Sequence, residues 1–530
     1  MLRRSLILAA ALAVSACSLT AAPEPRALDV TPGAVEAHIL FLADDLMEGR
    51  EAGTRGYGLA ANYVEAQFRL IGLEPGGEEG YRAGVPLQTL TALAEHAGLS
   101  IDGQAFEMGQ DFVVAAHAVH DRSSVEAGAV FAGYGITAPG LGLDDYAGLD
   151  MAGQIAVVLA GAPEGLPSDV AAHLNSPLTK AEFAAHAGAA GLIIIPAEGL
   201  TRWSFRRMAP MAGRSSMTTA AAAAPESLRV TAYVSDETAG HLFANAPRAF
   251  EDVVEAARRG ERLEGFALNT ALTMSQGTAR ETIHDDNVVG LLPGSDPALA
   301  DEAVIVTAHL DHIGVCRPMA EDPICNGALD NASGVSIMIE TARALTAGPQ
   351  LSRPVVFIAL AAEEKGLLGA AHIAANPTPA MGRMAANVNL DMPVILYEFE
   401  DVIAFGAEHS SLGPVAEAAA ASRGVRLSPD PIPEQSLFVR SDHYHFVRAG
   451  VPSLFLMTGF SSPDPEHDEG RGFMGFLSGN YHQPGDDLSQ PLRFDQGAKF
   501  ANINLAIIQA IANAPEAPRW NSDSFFAGQR

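Results

Sequence analysis

Residues 303–334, AVIVTAHLDHIGVCRPMAEDPICNGALDNASG, constrain the fold more than any other stretch of the chain. The β-branched run Val304-Ile305-Val306 predicts a buried strand that ends at His309. A polar loop follows, carrying Asp311, His312 and Asp330. Asn331-Ala332-Ser333-Gly334 then opens VSIMIETARAL, whose apolar spacing and Ser/Asn start signal predict a capped helix. A histidine therefore closes a strand and an aspartate precedes a helix N-terminus. In an open α/β sheet that edge is where ligands bind.

The same texture recurs downstream. NVVGLLPG, RPVVFIALAA, MAANVNLDM and VPSLFLMTG read as strands, separated by helical stretches such as GLLGAAHIAAN and GPVAEAAAASRG and closed by AKFANINLAIIQAIANA. Such alternation implies an α/β fold with a mostly parallel (mixed) sheet and helices on both faces. This region is set at 280–514, with 515–530 a C-terminal tail. Residues 85–279 differ, with short β-like runs (FVVAAHAV, IAVVLAG, GLIIIPA, LRVTAYV) around one clear helix, TKAEFAAHAGAAG, and predict a β-rich inserted domain. Its basic, Met-rich TRWSFRRMAPMAGRSS reads as a solvated loop in preference to a lid. Residues 34–84 supply two helices, VEAHILFLADDLM and LAANYVEAQFRLIG, joined by the turn-rich EGREAGTRGYG.

The net charge of −30 argues against nucleic acid and anionic membrane surfaces as partners. Residues 1–16 read as a signal peptide: Arg3 and Arg4 precede an apolar run too short to span a bilayer. Val14-Ser15-Ala16-Cys17 resembles a bacterial lipobox, which implies cleavage before Cys17, lipid on its sulfur and a tether over 17–33. The expected location is the periplasm of a Gram-negative bacterium, anchored in the outer membrane, with the lipid as the only membrane contact. Cys316 and Cys325, in one loop of an exported chain, are expected to form a disulfide, since nothing resembling a thiolate metal site accompanies them.

Taken in order, the strand ends and turns deliver His309, Glu363-Glu364, Asp391 and His482, with Asp330 beside them. Singly, each is an ordinary turn or surface residue. Together, carboxylates gathered at one edge repel unless cations neutralise them. Mixed imidazole and carboxylate donors suit zinc first, then manganese or cobalt. Five ligands exceed one tetrahedral zinc and fit two metals sharing a carboxylate, roughly 3.5–4 Å apart.

TAHLDH, GALDNASG, AAEEKGLLG, NVNLDM and NYHQPGDD, in that order, resemble the motifs of the co-catalytic di-zinc exopeptidases, which include leucyl-type aminopeptidases and glutamate carboxypeptidases. KAEFAAHAGAAGLIII resembles part of the protease-associated domain often inserted in them. The resemblance implies two zinc ions per chain. Asp330 would bridge them, with His309 and Asp391 completing one site and Glu364 and His482 the other. Glu363 would be the general base for a metal-bridging water, Tyr481 a donor to the oxyanion, and Asp311 the residue orienting His309. Arg440, in FVRSDHYHF, becomes a candidate substrate contact, with a structural salt bridge as its alternative; His443 and His445 are expected to be structural. The implied function is a metal-dependent exopeptidase, foremost an aminopeptidase acting on peptides. A carboxypeptidase or dipeptidase of the same fold is one alternative, a glutaminyl-cyclase-like enzyme with one metal another, and a non-catalytic peptide-binding lipoprotein a third. A serine hydrolase is disfavoured, since no GxSxG follows a strand.

Overall fold

The computed structural model describes residues 29–201, 204–317 and 319–528, so the signal-peptide and Cys17 expectations lie outside the described residues. Four parallel strands form the centre of the larger sheet, in the order Val355–Leu360, Glu302–His309, Arg383–Leu390 and Ser453–Thr458. All four are almost wholly buried, as a sheet covered on both faces requires. Antiparallel neighbours flank them: Phe266–Leu292 beside Val355–Leu360, and Asp401–Phe405 beside Ser453–Thr458. Helices Gly334–Ala347 and Phe494–Asn513 pack on one another, and Pro32–Leu42 packs against both. The fold is mixed α/β.

Residues predicted as a β-rich unit build a second group of strands. Arg122–Phe131, Ile155–Leu159, Gly191–Ile195 and Val230–Val234 lie side by side in parallel. Helices are more numerous here than the single one expected: Ser168–Asn175, Pro177–His186, Asp236–Leu242 and Phe250–Arg258 all belong to this region. One strand, Phe266–Leu292, runs through both groups for 27 residues. Its first part pairs with Arg122–Phe131, its middle with Arg82–Ala92 and its end with Val355–Leu360. Its polar middle, TARETIHDD, separates two apolar runs in the sequence and is held as strand by pairing with Arg82–Ala92.

The parallel order places the C-terminal ends of the Glu302–His309 and Arg383–Leu390 strands side by side. His309 and Asp391 therefore arrive as neighbours before any side-chain interaction is counted. Among the described residues, no helix is long and apolar enough to cross a membrane.

Candidate metal centre

His309 Nε2 lies 3.1 Å from Asp391 Oδ1 and 3.3 Å from Asp330 Oδ1. On the other side of Asp330, its Oδ2 lies 3.2 Å from His482 Nε2, which is 3.0 Å from Glu364 Oε2. The five residues expected as ligands are thus together, with Asp330 between two groups of donors. The His482 Nε2 atom is buried and makes no hydrogen bond, despite the two carboxylate oxygens near it. A buried imidazole nitrogen facing two carboxylate oxygens at about 3 Å without a hydrogen bond fits a shared cation.

The electrostatics point the same way. Burial works against charge on both imidazoles, yet Glu363 and Asp391 hold His309 well above its ordinary range. His482 is held up to about 10, against burial, by Asp330 and Glu364. Acidic neighbours that favour positive charge here, against burial, mark a site that divalent metals would suit. A mixed imidazole and carboxylate donor set suits zinc.

Buried polar groups fix the ligand-bearing segments. Asn331 Nδ2 donates to the His309 and Leu390 carbonyls, at 3.2 and 3.0 Å, while its Oδ1 accepts from the Gly334 and Met392 amides at 3.0 Å each. One amide thereby joins the loop of Asp330 to both neighbouring strand ends. Ser441 Oγ donates to Asp391 Oδ2 at 2.5 Å. Asp486 accepts from the Leu329 and Asp330 amides at 2.8 and 3.0 Å, and burial pushes its carboxyl up to about 6.

Asp311 acts differently from expectation. Its carboxylate accepts from the Glu363 and Glu364 amides at 3.0 and 3.2 Å. His309 Nδ1 instead lies 3.2 Å from the Asp311 backbone carbonyl. The carboxylate is occupied by the two amides, so only the main chain of Asp311 orients the ring. The expected contact with the other ring nitrogen of His309 is therefore made by the Asp311 carbonyl and not by its side chain.

Sequence reading assigned no role to His312, Asn331, Asp486 or Arg50. His312, fully buried, places Nδ1 2.8 Å from Glu364 Oε1 and 3.8 Å from Asp330 Oδ2, and forms a third possible donor there. The second histidine of TAHLDH and the Asp after His482 in NYHQPGDD were visible as residues, without partners to give them meaning.

Glu363 enters a pocket shared with His309, Asp391, Arg440 and Tyr481, walled by Met392, Leu437, Phe455 and Met457. Burial, with Glu364 and Asp391 adding repulsion, pushes the Glu363 carboxyl well above the carboxylate range. Tyr481 stacks on His482 with ring centroids 3.8 Å apart, and Arg440 Nη2 donates to its hydroxyl at 3.4 Å. His443 and His445 are buried, and burial lowers each to about 3, so both are neutral. Cys316 and Cys325 form a disulfide across the loop beside the centre. A separate group, Asp169, Glu408 and His409, is an ion pair: His409 Nε2 bonds Asp169 directly, and Nδ1 lies 3.0 Å from Ser524 Oγ.

Residues 287–508 match the profile of Peptidase family M28. Aminopeptidase YwaD of Bacillus subtilis (strain 168) is 30% identical over 207 residues, covering 38% of this chain and 39% of the relative. A probable zinc metalloprotease of Pyrenophora tritici-repentis (strain Pt-1C-BFP) is 27% identical over 262 residues, covering 44% of this chain and 58% of the relative. The chain thus spans about half the length of these curated relatives. In three dimensions it resembles an aminopeptidase from Aneurinibacillus sp. strain AM-1, at 21% identity and a TM-score of 0.50, over 92% of this chain and 96% of that one.

Proposed function

With residues 287–508 forming a domain of Peptidase family M28, we propose that the protein is a two-zinc exopeptidase, foremost an aminopeptidase that releases N-terminal residues from peptides. One observation carries this reading. Asp330 stands between a His309–Asp391 pair and a Glu364–His482 pair, while Glu363 faces the same pocket outside both donor groups. His309 and Asp391 would hold one metal and Glu364 and His482 the other, with Asp330 shared between them. Zinc bound there supplies Lewis acidity toward the scissile carbonyl and lowers the pKa of water to near neutrality.

The chain's own residues do the rest. Glu363, raised by burial and by its acidic neighbours, accepts a proton from the attacking water and returns it to the leaving amine. Tyr481 donates its hydroxyl hydrogen to the developing oxyanion, and Arg440 steadies that hydroxyl. Met392, Leu437, Phe455 and Met457 suit an apolar side chain at the cleaved position. The acidic end of the pocket, with Glu363 and Asp391, suits a substrate ammonium group. Arg440 favours a second reading, since at the same pocket it could pair with a C-terminal carboxylate.

Residues 85–279 are read as an inserted protease-associated domain, supported by strands that pair mainly among themselves. Export with lipid on Cys17 rests on the N-terminal sequence, and the Cys316–Cys325 disulfide supports an oxidising compartment.

Hydrolysis of matched peptides tests the direction of cleavage. Cleavage of apolar aminoacyl amides, with loss of activity on N-acetylation, is expected. Cleavage of N-acetylated peptides from the other end would move the assignment to a carboxypeptidase.

A further inference from the structure

Arg50 ends the short helical turn Asp45–Arg50 in the connector between the first two helices. Only 1% of it is exposed, yet no carboxylate bonds it directly. Its Nε donates to the Leu310 carbonyl at 2.9 Å. Nη1 donates to Leu42 and Asn326 at 2.5 and 2.6 Å, and Nη2 to Gly327 at 2.9 Å. Burying a guanidinium is costly, and here four carbonyls and the field of Asp486, Asp330, Asp311 and Glu364 offset it.

The positions of those carbonyls give the arrangement its meaning. Leu310 follows the metal-binding His309, and Asn326-Gly327 lead into Asp330. The main chain grips the same loop, because His312 N–H donates to the Arg50 carbonyl at 3.2 Å and Gly314 N–H to the Gly49 carbonyl at 3.1 Å. This close approach needs glycine at 49, where φ is +66° and a Cβ would lie 2.3 Å from the Cys325 carbonyl oxygen. Arg50 thus holds the beginning and the end of loop 310–327.

We propose that Arg50 is a positioning residue that sets His309 and Asp330 in register for metal binding by clamping both ends of this loop. The proposal rests on the metal-centre reading given above. Charge and clamp predict opposite signs. As a charge alone, Arg50 repels a dication, so its removal would tighten metal binding. As a clamp, its removal weakens binding, and lysine does not rescue it, since an ammonium lacks the fixed fork that reaches carbonyls in three directions.

The test titrates zinc against a competing chelator in wild type, Arg50→Met and Arg50→Lys, with folding checked by circular dichroism. Both variants are expected to bind zinc about 10–100-fold more weakly, the range for groups that support metal ligands. Tighter binding by Arg50→Met, or wild-type affinity in Arg50→Lys, would overturn the clamp. Hydrogen exchange on metal-stripped wild type supplies a readout that needs neither metal nor a folded variant. The His312 and Gly314 amides are expected to be strongly protected without metal, and rapid exchange there would also overturn the proposal. A wild-type chain that binds no zinc would defeat the metal-centre reading, while the exchange data still decide on the clamp.

Discussion

Glu363 and Glu364 are adjacent, yet they meet different surroundings. Glu364 lies against His312 and His482, whereas Glu363 turns into the pocket lined by Met392, Leu437 and Phe455. Asp311 makes this separation firm by accepting both of their amides. The account therefore predicts different failures for two similar substitutions. Glu363→Gln is expected to retain both metals and lose about 10²–10⁴ in kcat, the usual worth of a general base. Glu364→Gln is expected to lose metal from one site, which elemental analysis would register. At the same scale, Asp486→Asn replaces one of two amide acceptors by a donor and is expected to weaken zinc binding about 10–100-fold in a chelator competition. That the five proposed ligands and Glu363 come together was legible, because each lies at the end of an apolar strand or in a turn. Asp486 and Arg50 were not, because their partners are backbone groups distant in sequence, which no local pattern reveals.

Among elements, the central strands were legible as short, largely apolar runs, β-branched in Glu302–His309 and Val355–Leu360. Phe266–Leu292 was not, because its middle is exposed and polar and is held as strand by pairing with Arg82–Ala92. Local hydrophobicity carries no signal where a strand is stabilised by its ladder alone. Phe250–Arg258 is a different case: its buried Phe250, Val253, Val254, Ala256 and Ala257 recur at helical spacing, so this helix was legible and went unread. The loop element beside the metal centre is tied by Cys316–Cys325, separated by 9 positions. Closing a loop of that length is worth about 2–3 kcal/mol. Thermal unfolding is expected to shift downward in reductant, and the Cys316→Ser/Cys325→Ser double variant should show no such shift.

Across the whole molecule, the β-rich region meets the larger sheet's surroundings through histidines. His173 Nδ1 lies 2.7 Å from the Tyr444 hydroxyl, and Glu182 bonds Arg448 at 2.5 Å. Burial lowers His173 to about 4 and His445 to about 3, so the folded state holds both neutral. Stability from such groups is present above the unfolded value near 6.5 and is lost as pH falls toward the folded values. His409 has the opposite sign: burial works against its charge, but Asp169, Glu408 and Asp523 raise it, so its contribution is present below 6.5 and is lost as pH rises through its folded value. The His173 contribution therefore declines from pH 7 to pH 5, and urea unfolding reads it as part of the slope of stability with pH. His173→Gln should flatten that slope, and an unchanged slope would contradict the account.

The central claim is a centre of two metals around Asp330, and metal stoichiometry tests it most directly. Metal-stripped protein would be titrated with zinc and its metal content measured by elemental analysis after removal of excess. The account predicts two zinc ions per chain in wild type and loss of the bridged pair in Asp330→Asn. One tightly bound zinc, or none, in a correctly folded wild-type chain would contradict it.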